Sequence, residues 1–255
     1  MNTVKRPWRL QSPHFQQVGS GRRSPLGRTA HPLVVFPMAL LVVILAGCEA
    51  GNVAPASSAG AAASAPITLT FQRHMDFFSK ETQQPAIIDP QMFVVTPGAS
   101  AGTGPQNIPH AAGVAPVQAT APDSTSLLDA QGKSLDVTLG SWKAATGQAT
   151  LTCQTDREML SARFNKLVPD ASYSLFDVHL SVQGAGRLTP LTTSNSFRSG
   201  ADGAGQLTVS GISPCLGSDD AVLLVWNSDG KPHGASIGSL GVDAHNQLIA
   251  PLTSR

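Results

Sequence analysis

Seven to ten short runs of alternating apolar and polar residues, set between Gly, Pro, Asp and Ser turns, predict an all-β fold. The expected architecture is an antiparallel β-sandwich, immunoglobulin-like or a related Greek key. Two further observations agree. No stretch sustains the 3.6-residue period that the helix of a βαβ crossover requires. Charged residues make up 13% of the 255, against 24 Gly and 19 Pro, a balance that suits an exported β domain with long loops.

The amino-terminal part stands outside that pattern. Residues 1–32 are rich in Pro, Gly, Ser and Arg and have no apolar periodicity. Leu33 to Ala46 (LVVFPMALLVVILA) is then wholly apolar apart from its proline, and ends in Gly47-Cys48. This run is shorter than the ~20 residues needed to cross a bilayer as a helix, and it has the length of a signal-peptide core. Lys5, Arg6, Arg9, Arg22, Arg23 and Arg28 precede it, and no Asp or Glu occurs before Cys48. A basic flank of this kind stays on the cytoplasmic side while the apolar segment enters the membrane. Leu45-Ala46-Gly47-Cys48 resembles the lipobox of bacterial lipoprotein precursors. The resemblance implies cleavage before Cys48, a diacylglycerol on Cys48 Sγ and acylation of the new amino group. More than one acyl chain is what makes such anchoring stable, at ~0.8 kcal/mol per buried CH₂. Residues 1–47 are therefore expected to be a signal peptide with a long basic leader.

The 208 residues from Cys48 onward carry 11 basic and 16 acidic residues, dispersed along the chain, which gives no electrostatic footprint for nucleic acid. Residues 48–65 are small residues with Pro and Gly and predict a flexible tether. A single β-sandwich domain is expected over 66–255. Ile67 to Phe71 alternates as a first strand, and Arg73 to Gln84 reads as a strand end, a turn or a short helix. A second strand centres on Met92 to Val95, with Pro90 placing its pairing at an edge. Residues 96–126 contain five prolines and no charge before Asp123, the longest irregular stretch, expected to be functional or partly disordered.

From Leu127 the strand signals become regular. Leu135, Val137 and Leu139 alternate, as do Ala149, Leu151 and Cys153, then Leu160, Ala162 and Phe164. Asp156 to Leu167 is the segment that best challenges this with helical propensity. Phe176, Val178, Leu180 and Val182 are expected inward, with Asp177 and His179 outward. Gly184 to Gly186 breaks that run, and Arg187 to Arg198 reads as a polar loop. Ala221 to Trp226 is apolar on both faces, the mark of a covered central strand. The last strand is expected over Gln247 to Leu252.

With Cys48 assigned to lipid, Cys153 and Cys215 remain, and an exported chain with two cysteines predicts one disulfide between them. Such a cross-link, closing about 60 residues, stabilises by roughly 4 kcal/mol in the chain-entropy picture.

The usual catalytic and phosphate-binding signatures do not occur: no G-x-S-x-G, Walker-type loop, G-x-G-x-x-G or H-E-x-x-H. Asp219-Asp220 are adjacent and are expected in a solvated turn, and His110 is expected to be an exposed loop residue. One polar concentration could ligate a metal: His233, Asp243 and His245, with Asp229, since residues two apart on a strand share a face. The plainer alternative is a tight turn at Asp229-Gly230, a His233 hydrogen bond to a loop carbonyl and Asp243 capping a turn. Trp142 and Trp226 are expected to be core, and Tyr173 to tie a corner of the fold through its hydroxyl.

The segments WKAATGQATLTC, LVPDASYSL and SDGKPHG also resemble exported or lipid-anchored bacterial β proteins, a loose likeness that implies fold and location and no activity. The sequence thus predicts a lipid-anchored cell-envelope protein, at the outer membrane if the host is Gram-negative, because Glu49 follows Cys48. Its domain is expected to be a non-catalytic binding or structural module without cofactor. Its partners would be the membrane, through the lipid on Cys48, and an envelope protein or glycan. The alternative is a metal-binding protein or metal-dependent enzyme using His233 and His245.

Overall fold

A computed structural model describes residues 65–82, 85–155, 157–180, 187–212 and 214–252. The chain divides into the units Met1–Ala56 and Ser57–Arg255, and all described residues belong to the second. The signal peptide, Cys48, the tether up to residue 64, Val182 and Gly184 to Gly186 lie outside the described residues.

In chain order the elements begin with β1 (Ile67–Arg73), α1 (His74–Thr82) and β2 (Ile87–Val95). The stretch expected to be irregular instead carries a small hairpin, β3 (Gly102–Thr103) and β4 (Pro109–His110), followed by β5 (Val114–Gln118). Next come β6 (Ser126–Leu128), β7 (Ser134–Thr138) and α2 (Leu139–Lys143). The remainder is β8 (Thr146–Gln154), β9 (Arg157–Asn165), β10 (Ser172–His179), β11 (Arg187–Pro190), β12 (Ser196–Arg198), β13 (Gly205–Ile212), β14 (Asp220–Asn227) and β15 (Ala244–Pro251).

The expected two-sheet sandwich is not what these strands build. Nine of them form one antiparallel sheet in the order β11-β10-β14-β15-β1-β8-β9-β13, with β12 also paired to β10. Separate from it are a four-stranded sheet, β5-β2-β6-β7, and the β3-β4 hairpin. The result is a mixed α/β domain around a curled half-barrel. Strand β1 is the physical reason. Ile67 to Phe71 pair with β8, whereas Gln72 and Arg73 pair with β15, so one strand continues the hydrogen-bond ladder from one set to the other. Two sets joined in this way cannot stack as independent layers, and the twist of the strands rolls them into a curl.

The concave face holds the main core. Leu69, Phe71, Ala149, Leu151, Leu160, Ala162, Tyr173, Leu175, Val222, Leu224 and Leu248 are buried there, and Met92, Val117, Leu127 and Trp142 from the four-stranded sheet and α2 join them. Alternate residues of β10, β14 and β15 (Phe176, Val178, Leu223, Val225, Ile249) form a second cluster on the convex side, covered by Phe77 of α1 and by Ile237 and Leu240. Both faces of β14 are thus buried, as its unbroken apolar run predicts. Phe176 and Val178 are buried on the convex side, as their alternation predicts, while His179 is exposed and Asp177 half-buried on the other face.

The two ends of the curl approach through aromatic rings. Phe197 of β12 stacks on Phe164 of β9 at 5.6 Å between centroids and on Tyr173 of β10 at 5.5 Å. Gly205 lies beneath the Phe197 ring, and a Cβ there would collide with it. Such pairs contribute about 0.5–1.5 kcal/mol beyond burial.

The expected inward set Leu160, Ala162 and Phe164 is buried on one face of β9, with exposed Met159 and Arg163 on the other, so the helical alternative for this segment does not hold. Two further expectations are corrected. Arg187 to Arg198 is not simply a loop, since its polar residues form β11 and β12 along β10. Pro90 does not mark an edge strand: β2 pairs on both sides, and the β2–β5 register breaks between Asp89 and Phe93, where Pro90 lies.

Candidate functional site

Two places concentrate polar side chains. The first is a cleft of about 580 Å³ at one mouth of the curled sheet. Its polar floor comes from strands whose register brings His179 of β10 opposite Asp220 of β14, with Asp177 one step along the same face. Pro190, Leu191, Ile212, Pro214, Cys215 and Leu216 supply apolar walls. His179 Nδ1 lies 2.8 Å from Asp220 Oδ1, and the Gly217 N–H donates to Asp220 Oδ2 at 2.6 Å. The Thr189 hydroxyl donates to Asp177 Oδ2 at 3.3 Å, while Asp177 Oδ1 is inaccessible and has no hydrogen-bond partner among the described residues.

Burial, and next the negative charge of Asp220, push the Asp177 carboxyl up to about 6. The hydrogen bond to Asp220 raises the His179 imidazole above its ordinary value. The cleft therefore holds a carboxyl that exchanges its proton near pH 6 beside an imidazole–carboxylate pair. That arrangement can hydrogen-bond a polar ligand against an apolar wall. Neither Asp177 nor Asp220 stands out in the sequence as a site residue, because alternation marks the first as outward and the second as part of a turn.

One wall of the cleft carries the expected disulfide. Cys153, at the end of β8, is bonded to Cys215, 62 residues further on. Beside it, the Leu216 N–H donates to the buried Glu158 carboxylate at 2.8 Å.

The second concentration is buried where β2 meets β15. Gln91 is its hub, with every polar atom engaged. Its backbone N–H donates to Asp89 Oδ1 at 2.9 Å, and its carbonyl lies 3.2 Å from His245 Nδ1. Its side-chain Oε1 accepts from the Asn246 N–H at 2.6 Å, and its Nε2 donates to Gln106 Oε1 at 2.8 Å. The Trp142 indole N–H donates to Asp89 Oδ2 at 2.9 Å. Gln247 Nε2 donates to the Trp142 carbonyl, and Gln247 Oε1 accepts from the Tyr173 hydroxyl. The irregularity of β15 against β14, next to Val225, is what leaves the Asn246 N–H for Gln91 to satisfy. Burial raises the Asp89 carboxyl to about 6 and lowers His245 to about 4.

Against this geometry the residues singled out by sequence separate. His245 is fully buried, with Nε2 3.2 Å from Ser228 Oγ and its ring 5.3 Å from that of Trp226. His233 belongs to the 228–243 loop, its Nε2 3.1 Å from Asp229 Oδ1 and its Nδ1 3.5 Å from the Ile237 carbonyl. Asp243 Oδ1 accepts the Ser239 N–H at 2.6 Å. Gly238, with φ +90°, lets His233 and Asp243 approach it from either side, where a Cβ would collide with both. These residues follow the plainer reading, a loop carbonyl beside His233 and a turn capped by Asp243, and not the metal alternative. Asp243 lies in the turn before β15, so the two-residue spacing does not put it on the face of His245. Among the described residues, no group of three or more His, Cys, Asp or Glu could hold a metal ion.

The remaining aromatic residues are structural. Trp142 and Trp226 are buried, with centroids 5.7 Å apart. The Tyr173 hydroxyl ties a corner, but it accepts the Val168 N–H at 2.9 Å and directs its own proton to Gln247. His110 is half-buried, its ring 5.7 Å from that of Phe93.

The 96–126 segment meets the loop before β15 through Ile108 and Val114, which with Phe93 and Ala130 form a cluster on which Leu240 and Val242 pack. The Ala130 N–H donates to the Gly241 carbonyl at 2.7 Å. No helix among the described residues is long and apolar enough to cross a membrane. Comparison with known proteins finds no matching family model, no similar curated protein and no similar solved structure.

Proposed function

We propose that the chain is a lipid-anchored cell-envelope protein whose β-rich domain is a non-catalytic binding or structural module. The observation that carries the reading is Leu45-Ala46-Gly47-Cys48, placed at the end of a 14-residue apolar run that six basic residues and no acidic one precede. The order of segments supports it. Small residues with Pro and Gly occupy the positions between Cys48 and β1, which suits a spacer between a lipid surface and a domain. Glu49 after Cys48 favours the outer membrane, by resemblance to lipoprotein sorting in Gram-negative bacteria.

The non-catalytic part of the proposal draws on how the polar residues are used. The densest polar set, around Gln91, is spent on joining two sheets, with its hub fully buried. The surfaces proposed to meet an envelope protein or glycan are the loop from Thr96 to Ser126 and the loop from Ser228 to His245, which meet where Leu240 and Val242 pack against Ile108 and Val114.

The test is Cys48→Ala expressed in bacteria fed labelled palmitate. The native chain should take up label and migrate as a processed form in the membrane fraction. The variant should be unlabelled and remain the precursor. A Cys48→Ala chain still labelled and cut at the same place would overturn the proposal.

A further inference from the structure

The joint between the two sheets contains two buried imidazoles with opposite provisions for a proton. His245 has acceptors for both ring N–H groups of its charged form. Nδ1 faces the Gln91 carbonyl, and Nε2 faces Ser228 Oγ, whose own proton goes to the Val242 carbonyl at 3.2 Å. Asp129 and Asp243 add favourable negative charge. His74, the first residue of α1, has no such provision. Its Nδ1 has no hydrogen-bond partner among the described residues, and its Nε2 faces the Asn246 side-chain amide nitrogen at 3.5 Å. Its ring stacks on Phe78, and it is 6% exposed. An imidazolium has two donors and no acceptor. Asn246 Oδ1, itself without a partner among the described residues, can turn to take the Nε2–H. Nothing among the described residues faces Nδ1, so charging His74 leaves that donor unsatisfied. The positive end of the helix dipole adds to the penalty.

We propose that His74 makes helix α1 an acid-operated latch: taking up a proton drives α1 off β15 and β2 while the curled sheet stays paired. Three features make α1 the element that moves. It has nine residues, fewer than the roughly 12–15 at which an isolated helix is even marginal, so packing alone holds it. Of the side chains it inserts, Met75 joins the main core and Phe77 covers the convex cluster, and neither takes part in the hydrogen bonds of the ladder. The ladders β8–β9 and β9–β13 lie at the far end of the sheet from β15, while β10 and β14 carry part of the cluster that Phe77 covers. Opening would expose the apolar face of α1 and the convex cluster beneath it.

The charged and titratable groups around the joint are few. On β1, Arg73 pairs with Asp76 of α1 at 2.7 Å, so that carboxylate is already matched by a cation. On β2, Asp89 is committed to Gln91 and Trp142, and it takes its proton on acidification, which removes negative charge from the joint. On β15, His245 is also lowered to about 4 by burial, and differs from His74 in that both its ring nitrogens face acceptors. Burial lowers the His74 imidazole to about 4, below its ordinary 6.5. A lowered histidine stabilises the closed state fully above 6.5, and that stabilisation is lost as pH falls towards 4. Linkage between those two values raises the opening equilibrium roughly 60-fold from pH 7 to pH 4.5.

The experiment is hydrogen exchange read by mass spectrometry on the purified mature protein in detergent, at pH 7 and pH 4.5, corrected for intrinsic exchange rates. Peptides covering 74–82 should lose protection by tens of fold at pH 4.5, while β8 and β9 keep theirs. His74→Phe and His74→Gln, neither of which can charge, should each keep the helix protected at both pH values. Unchanged protection of 74–82 in the native chain, equal loss across all peptides, or the same loss in a folded His74 variant would overturn the proposal. Should neither variant fold, NMR of the native protein decides it: loss of the native α1 backbone shifts in step with titration of the His74 ring supports the latch, and α1 shifts that stay native while the ring titrates overturn it.

Discussion

Truncating Gln91 to alanine should cost the domain about 2–4 kcal/mol, although the residue is neutral, polar and distant from the cleft. The magnitude follows from the four bonds that meet there. Two belong to the backbone, the N–H to Asp89 and the carbonyl to His245, and survive the substitution. The bond from Gln91 Nε2 to Gln106 is also minor, because Gln106 is exposed and water can replace it. What remains is the Asn246 N–H, buried beside a break in the β14–β15 register, for which Gln91 Oε1 at 2.6 Å is the acceptor. An orphaned buried donor costs about 1–3 kcal/mol, and the space vacated in a fully buried position adds about 1 kcal/mol. Urea unfolding followed by tryptophan fluorescence is the assay, since Trp142 and Trp226 report on this region. The midpoint should fall at unchanged slope. Gln106→Ala, measured alongside, should lose less than about 1 kcal/mol because its partner's bond to Asn246 is untouched. A Gln91→Ala protein within about 0.5 kcal/mol of the parent would refute the reasoning, because a buried N–H would then have gone unpaired at no cost.

Two further outcomes are expected. Tyr173→Phe removes one hydroxyl and leaves both the Val168 N–H and Gln247 Oε1 without it, so thermal unfolding should register a loss of about 1–3 kcal/mol, more than removal of an exposed hydroxyl. Asp89 has a carboxyl raised to about 6 from its ordinary 3.8, so its contribution favours the fold below 3.8 and is lost as pH rises through 6. Compared with Asp89→Asn by urea midpoints, the native protein should therefore gain on the variant as pH falls from 7 to 4, by on the order of 3 kcal/mol. A difference independent of pH would show that the carboxyl titrates normally.

Strands whose two faces meet different surroundings were legible from the sequence. Strands β8 and β9 alternate cleanly because their convex side is exposed, and β14 announces its double burial by having no polar residue between Ala221 and Trp226. The fold class was not legible, because it depends on which strands pair. The pairing of Gln72 with Ile249 joins what local alternation leaves as two sets. The joint was missed for a different reason. His245, Asn246 and Gln247 are three polar residues in succession, a pattern that ordinarily marks a surface, and their burial is made tolerable only by partners far away in sequence. Their position directly before the apolar Leu248 to Ala250 was the one local signal that a covered strand begins earlier than Gln247. The disulfide, in contrast, needed only the count of cysteines and an exported setting.

The double pairing of β1 has a consequence for how the chain reaches its destination. The first strand needs the last one as a neighbour, so the ladder cannot be completed until β15 has been made. Pairings this distant along the chain are the slow ones to form. If the chain is exported as proposed, it must remain unfolded until most of it has crossed the membrane, and this order of assembly would favour that delay. Early segments can associate only provisionally, through β1 and β8, and find their lasting partner after the carboxyl end emerges. The topology thus serves as a timer, coupling the completion of the domain to the completion of its transport under the lipoprotein proposal.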